Sequence, residues 1–253
     1  MNEWTKRYYN EAYLRRWHLG QPDERVQKNA VFLLEQLRIG QGNTLLDVGC
    51  GQGRYSLAFA KSGVKVTGLD ASDVLISEAK CLAQEMGLSV EWVLGDMRKI
   101  PFQNQFDGVA SIDAFGFFQD DSDNQKAVMQ MAKALKPGAR LVIAILNGLK
   151  ILNNFRKFDR EERKGFAIKI KRDLLPNRRA MRERLCFIDS DGESTYERYQ
   201  RLFSAEELSE LGKSAGLLTR DVFGSFRGEQ FDPNLSEKIV LVTQKGGNAA
   251  GRR

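Results

Sequence analysis

Between residues 44 and 146 short apolar runs alternate with longer amphipathic stretches. The runs are Thr44–Val48, Lys65–Leu69, Val90–Leu94, Gly108–Ile112 and Arg140–Leu146, and the stretches between them include Arg54–Ser62, Ser72–Met86 and Ser122–Leu135. Such runs read as strands buried on both faces, and the stretches as helices that cover them. Strand–helix alternation with short links predicts an α/β fold, a doubly wound, mostly parallel sheet. Upstream, Asp23 to Leu37 reads as a helix with Val26, Ala30, Leu33, Leu34 and Leu37 on one side, ended by Gly40 and Gly42. The aromatics Trp4, Tyr8, Tyr9, Tyr13 and Trp17 recur at spacings of four and mark one face of a further helix, which docks on the core, closes over a site as a lid, or does both.

Past residue 146 the rhythm breaks. Phe166–Arg172, Arg182–Ile188 and Tyr196–Phe203 are separated by turn signals at Pro176-Asn177 and Asp189-Ser190-Asp191-Gly192, which predicts an antiparallel insertion of two or three strands, a substrate lid or a self-association surface. Ser204-Ala205-Glu206-Glu207 has the form of a capping box and opens a helix to about Ala215. Gly216–Phe226 and Lys238–Thr243 suit two closing strands. The expected organisation is an N-terminal helical lid (1–40), a core (41–146), a β insertion (147–203), the rest of the core (204–245) and a low-complexity, disordered tail (246–253).

The chemistry gathers at the ends of the predicted strands. Leu45-Leu46-Asp47-Val48-Gly49-Cys50-Gly51-Gln52-Gly53-Arg54 places three alternating glycines after the first strand, and the second strand ends in Asp70. A tight glycine turn between strand and helix admits a ligand to the backbone, and a carboxylate on the next strand tip accepts from a ribose diol. The spacing G-x-G-x-G has Arg54 where a dinucleotide site has its third glycine, and no P-loop pattern is present. Asp47, Asp70, Asp96 and Asp113 all lie at or near strand ends, and one crevice explains four in sequence better than unrelated turns do.

The D-x-G-x-G-x-G form resembles the first motif of class I S-adenosylmethionine-dependent methyltransferases. Val90-Glu91-Trp92-Val93-Leu94-Gly95-Asp96-Met97, Phe106–Asp113 and Ala134-Leu135-Lys136-Pro137-Gly138-Ala139-Arg140-Leu141 resemble its later landmarks, with Ala139 in place of a usual glycine. The resemblance covers roughly residues 40–146 and a two-strand ending near 217–244. It implies the Rossmann-like fold of that family, with seven strands, and S-adenosylmethionine as cofactor, leaving as S-adenosylhomocysteine. It also implies cofactor contacts at Asp47, Gly49, Gly51, Gly53, Asp70, Ala71, Asp96, Met97 and Asp113, with Asp96 toward the adenine amino group and Met97 on the ring. The N-terminal aromatic helix and the β insertion resemble those of bacterial small-molecule methyltransferases. Tyr9, Tyr13, Trp17, Phe115 and Phe117 are candidate acceptor contacts.

Composition narrows the acceptor without naming it. The family's [DNS]-P-P-[YFW] motif is absent after the fourth strand, where Ser111-Ile112-Asp113-Ala114-Phe115 stands, so amide or base N-methylation of that kind is disfavoured. With His18 the sole histidine, a histidine metal site and a Ser-His-Asp triad are not expected, and no catalytic base is assigned. Cys50, Cys81 and Cys186 lack metal-like spacing and read as reduced thiols of a cytoplasmic protein; no run of 18 apolar residues suggests a membrane span, and the polar N-terminus lacks a signal-peptide pattern. The net charge of +6 is concentrated in Lys150–Arg184, where 13 Lys and Arg face 5 Asp and Glu. That segment is a solvated face, or a grip for an anionic small molecule, an acidic partner or nucleic acid. The expected activity is methyl transfer to a small, anionic or aromatic acceptor, by a possible homodimer. The alternatives are an RNA or protein methyltransferase that uses the basic insertion, a non-catalytic cofactor-binding partner subunit, and a nicotinamide-dependent dehydrogenase.

Overall fold

A computed structural model describes residues 8–17, 20–177 and 179–247. His18, Trp4, Arg178 and the tail from 248 onward lie outside the described residues. Each predicted core element is present, with bounds moved by a few residues. Helix α1 (Glu11–Arg16) and helix α2 (Glu24–Leu37) precede strand β1 (Thr44–Val48), followed by α3 (Arg54–Lys61), β2 (Lys65–Asp70), α4 (Asp73–Glu85), β3 (Glu91–Leu94), β4 (Phe106–Ile112), α5 (Asp121–Ala134) and β5 (Leu135–Leu146). After the insertion come α7 (Ala205–Ser214), β10 (Leu217–Phe223) and β11 (Lys238–Lys245).

These strands form one sheet in the order β10-β11-β5-β4-β1-β2-β3. Strand β1 pairs in parallel with both β2 and β4, so the chain reverses its direction of travel across the sheet at β1, and the crevice above that reversal is where such sheets bind ligands. Strand β11 runs antiparallel to β5 and to β10.

The alternation of side chains along the strands builds two cores. Leu45, Val66, Ala110 and Val142 turn toward Leu33, Leu37 and Phe59 on one face. Leu46, Val109, Leu141 and Ile143 turn toward Met131 and Leu208 on the other. Local signals set the helix starts: Asp23 caps α2 by accepting from the Val26 N–H, Ser72 caps α4, and the Ser204/Glu207 capping box closes in both directions on α7. Of the described residues before β1, helix α2 belongs to the sheet's own helical layer, and the segment 8–17 lies over the strand ends.

The insertion holds more structure than the sequence suggested. A short helix, α6 (Gly148–Asn153), leads into a four-stranded antiparallel meander of β6 (Phe158–Arg163), β7 (Phe166–Leu174), β8 (Ala180–Asp189) and β9 (Gly192–Arg201). The expectation of two or three strands missed β6. Its sequence, Phe-Asp-Arg-Glu-Glu-Arg, carries no apolar alternation because it is an edge strand with little burial. The inner face of the meander, with Ile168, Ile170, Leu185 and Phe187, packs on Tyr8, Tyr9, Tyr13 and Trp17.

Candidate functional site

The first glycine turn shapes the floor of the site. Gly49 has φ of 75°, and a Cβ there would stand 2.3 Å from the Ala114 Cβ, so the backbone crosses the tip of β4 at a distance that only glycine permits. Gly51 also has positive φ, but a Cβ there would meet only the Leu75 side chain at 3.9 Å. That open space is what a ligand lying on the turn requires.

Asp70, at the end of β2, points at this turn. One carboxylate oxygen accepts from the Gly51 N–H at 2.8 Å and the other from the Ser72 N–H at 2.9 Å. Burial pushes its carboxyl up, and the backbone donors from Ser72, Gly51 and Ala71 oppose that rise. A carboxylate offers about four acceptor positions, so these backbone donors still leave room for a hydroxyl donor.

The turn and Asp70 open on a cavity of about 320 Å³, near the low end of the roughly 300–1,000 Å³ common for small-molecule sites. Gly49, Gly51, Asp70, Ala71, Asp96, Met97 and Asp113 line it together, with Tyr9, Tyr13 and Phe117. The structure thus brings together most of the residues singled out from the sequence.

Four of them lie elsewhere. Asp47 is 2% exposed, one layer behind the turn, where it accepts from the Ser56 hydroxyl at 2.6 Å. Burial raises its pKa to about 6, against the Ser56 bond, and the nearby Asp70 adds to the rise. Gly53 is also absent from the lining; it caps α3 against the Trp92 ring. Phe115 is core, stacked on Phe203 with ring centroids 5.6 Å apart. Trp17 turns its ring to Phe166 at 5.4 Å and leaves its backbone carbonyl to the site, where it accepts from the Gln52 side chain at 2.7 Å.

Several lining residues were not singled out as candidates. Cys50, Gln52, Arg54, Tyr55, Ser72, Leu75, Ile112, Ala114 and Phe118 also face the cavity. Most flank a motif residue, so adjacency was the available signal.

Asp96 is held by a neighbour that the motif did not indicate. The Arg98 guanidinium donates to it from Nε at 3.0 Å and Nη2 at 2.6 Å, reaches Asp123 on α5 through Nη1 at 2.6 Å, and lies 4.8 Å over the Phe118 ring. Burial works against the Asp96 charge, but Arg98 outweighs it and keeps the carboxyl well below the usual range. Asp113, with φ of 55°, pairs with Lys238 on β11 at 2.5 Å.

The N-terminal segment spans the cavity from core to insertion. The Ser72 hydroxyl donates to the Tyr9 carbonyl at 2.9 Å, and Gln52 to that of Trp17. At the other end Arg16 donates to Asp189 at 2.8 Å and Ser194 at 2.9 Å, with its guanidinium 4.7 Å from the Phe187 ring. Tyr9 and Tyr13 meet edge to face between these anchors, and burial pushes both phenols well above the ordinary range, so they stay neutral.

The outer face of the insertion is charged, and several of its cations are paired. Arg184 meets Glu197 at 2.7 Å, Lys169 meets Glu193 at 3.5 Å, and Arg160 meets Glu162 at 2.7 Å. Among the described residues no group of three or more His, Cys, Asp and Glu is arranged to hold a metal ion, and no helix is long and apolar enough to cross a membrane.

A glycine turn at a sheet reversal, a half-buried carboxylate aimed at it and an acidic pair of strand tips beside it lie together at the strand ends of a class I methyltransferase fold. Residues 45–138 match the model of the methyltransferase domain family. Over residues 45–138 the chain thus carries a methyltransferase domain, and its fold is that of solved S-adenosylmethionine-dependent methyltransferases. It is 33% identical over 115 residues to a ubiquinone biosynthesis O-methyltransferase of Coxiella burnetii, covering 45% of this chain and 48% of that one. The chain thus spans about half the length of the curated relative it matches. A solved S-adenosylmethionine-dependent methyltransferase from Clostridium acetobutylicum superimposes with a TM-score of 0.80 at 17% identity, over 94% of this chain and 97% of that one. An amino pentose methyltransferase of Micromonospora echinaspora, solved with S-adenosylmethionine bound, gives 0.64 at 22% identity, over 93% and 95%. The cofactor of this class is S-adenosylmethionine, and the open cradle at Gly51 and the spare acceptor capacity of Asp70 fit it.

Proposed function

We propose that this chain transfers a methyl group from S-adenosylmethionine to a small-molecule acceptor and releases S-adenosylhomocysteine. The observation that carries the reading is Asp70, half-buried and fixed by the turn it faces, with acceptor capacity left for a ribose hydroxyl. Around it, Gly49 and Gly51 supply the floor, Asp96 takes the adenine amino group, Met97 packs on the ring, and Asp113 faces the methionine end. Tyr9, Tyr13 and Phe117 wall the acceptor side. The cofactor brings an activated methyl on a sulfonium, so the chain's own work is alignment and exclusion of water. The neutral phenols of Tyr9 and Tyr13 suit that work and do not suit proton abstraction.

An aromatic wall favours an aromatic or otherwise flat acceptor. The basic segment gives weak support to a polymer substrate, because several of its cations, Arg160, Lys169 and Arg184 among them, are paired with carboxylates of the same sheet. Two further expectations stand as proposals: free thiols at Cys50, Cys81 and Cys186 suit a reducing cytoplasmic setting, and the β6 edge with exposed Phe158 suits self-association.

The test is an acceptor screen with methyl-labelled S-adenosylmethionine over phenols, amino sugars, RNA and protein, repeated at rising salt. Label on a small acceptor, at a rate insensitive to salt, supports the reading. Label only on RNA, lost steeply with salt, contradicts it. Cofactor binding without turnover on any acceptor, relieved by a second chain, identifies a partner subunit instead.

A further inference from the structure

We propose that Arg198 sets the acceptor class: its guanidinium takes a carboxylate at the far end of a flat acceptor lying along the aromatic wall. The inference rests on the methyl-transfer reading above and names the substrate class of that same site.

Strand register builds the feature. Arg172 on β7 stands opposite Glu183 on β8, and Glu183 stands opposite Arg198 on β9, so the three side chains form one row across the insertion. The row lies on the inner face, because Glu183 is in step with Leu185 and Phe187, which pack on Tyr8. Glu183 is 1% exposed.

Charge along the row is unbalanced. Glu183 accepts from the Arg172 Nε at 2.8 Å through one oxygen and from the Arg198 Nε at 2.5 Å through the other. Burial works against the Glu183 charge, but Arg198 and Arg172 outweigh it and hold the carboxyl below the usual range. One carboxylate thus serves two cations. Arg172 has a second acid, Asp159, at 3.4 Å, whereas among the described residues no second acid pairs with Arg198. A buried ion row is a weak source of net stability, so a surplus cation on this face is better explained by a ligand.

Arg198 also has donors to spare. It spends Nε on Glu183, and neither Nη1 nor Nη2 meets an acceptor among the described residues. The side chain keeps 26% of its surface exposed, so its end is not sealed in by packing. Nη1 and Nη2 form the flat end of the guanidinium, whose two outward N–H groups run parallel and match the two oxygens of a carboxylate.

The position completes the case. The guanidinium carbon is 5.8 Å from the centre of the Phe117 ring and within electrostatic reach of Tyr8, Tyr9 and Tyr13. Tyr9, Tyr13 and Phe117 line the cofactor cavity. Arg198 therefore stands at the insertion end of the aromatic wall. An acceptor with its reacting atom toward the sulfonium and its ring along that wall has its far end at the guanidinium.

The experiment is calorimetric titration of the full chain, saturated with S-adenosylhomocysteine, with a panel of hydroxybenzoates and hydroxycinnamates and with their neutral carboxamides. The wild-type chain is expected to bind the carboxylates about tenfold to a hundredfold more tightly than the matched amides. Arg198→Gln should erase that preference while leaving the affinities for the amides and for S-adenosylhomocysteine unchanged. Arg198→Lys keeps a cation beside Glu183 and should restore part of the preference. Arg184→Gln, on the outer face, should keep it in full. If Arg198→Gln fails to retain S-adenosylhomocysteine, the wild-type preference and its partial survival in Arg198→Lys decide the matter. No preference in the wild type, no binding by any member of the panel, or equal weakening of acids and amides by Arg198→Gln overturns the proposal and leaves the cofactor assignment intact. Failure of the wild type to bind S-adenosylhomocysteine overturns both.

Discussion

Replacing Asp47 by Asn should stabilise the folded chain near neutral pH and lose that advantage in acid. Asp47 is 2% exposed, its hydrogen bonds come from the hydroxyl and backbone of Ser56 alone among the described residues, and the nearby Asp70 opposes its charge. Its pKa therefore moves from the ordinary 3.8 to about 6 on folding. Between those values the folded chain keeps a proton that the unfolded chain has lost, so stability falls as pH rises and is flat above about 6. At about 1.4 kcal/mol per pH step the whole effect is about 3 kcal/mol, of which roughly half has accrued by pH 5. Asn keeps the acceptor for Ser56 and cannot ionise. Urea unfolding of the wild type and Asp47→Asn at about pH 5 and pH 7.5 should show the stability difference shifting by about 1.5 kcal/mol in favour of Asn at the higher pH. A difference independent of pH would refute the reasoning, since it would mean that Asp47 is already charged in the folded chain at pH 5.

Three further outcomes follow from the same contacts. Arg98→Leu strips Asp96 and Asp123 of a shared partner and should cost about 1–2 kcal/mol in urea unfolding while weakening S-adenosylmethionine in equilibrium dialysis. Gly49→Ala forces a Cβ to 2.3 Å from that of Ala114 in a left-handed backbone, and should cost about 2 kcal/mol or more and abolish retention of the cofactor; a normal melting temperature with normal binding would contradict the tight crossing. Arg16→Ala releases one end of the N-terminal segment, whose partners Asp189 and Ser194 lie on the insertion, and should speed cofactor release in stopped-flow and expose the segment to protease while leaving core unfolding near its wild-type midpoint.

The core was legible because its signals are local and periodic. Apolar runs buried on both faces mark β1, β2 and β4, and caps such as Ser72 and the Ser204/Glu207 box start helices where the sequence puts them. The site was legible where the backbone itself dictates the residue, as at Gly49, Gly51 and Asp70. It was less so where tertiary packing decides between neighbours. Phe115 and Phe117 are two residues apart, yet Phe115 stacks in the core on Phe203 and Phe117 faces the cavity. Asp47 and Asp70 both end up beside the first glycine turn, yet only Asp70 has a backbone N–H of that turn to point at. Strand β6 escaped because an exposed edge carries charges where a buried strand would alternate.

The central claim is that the cofactor's adenosyl group lies over the first glycine turn with its sugar hydroxyls on Asp70. A crystal structure of the chain soaked with S-adenosylhomocysteine tests it most directly. The account predicts ribose oxygens within about 2.5–3.0 Å of the Asp70 carboxylate and adenine between Asp96 and Met97. Ligand density elsewhere on the molecule, or a ribose turned away from Asp70, would contradict it.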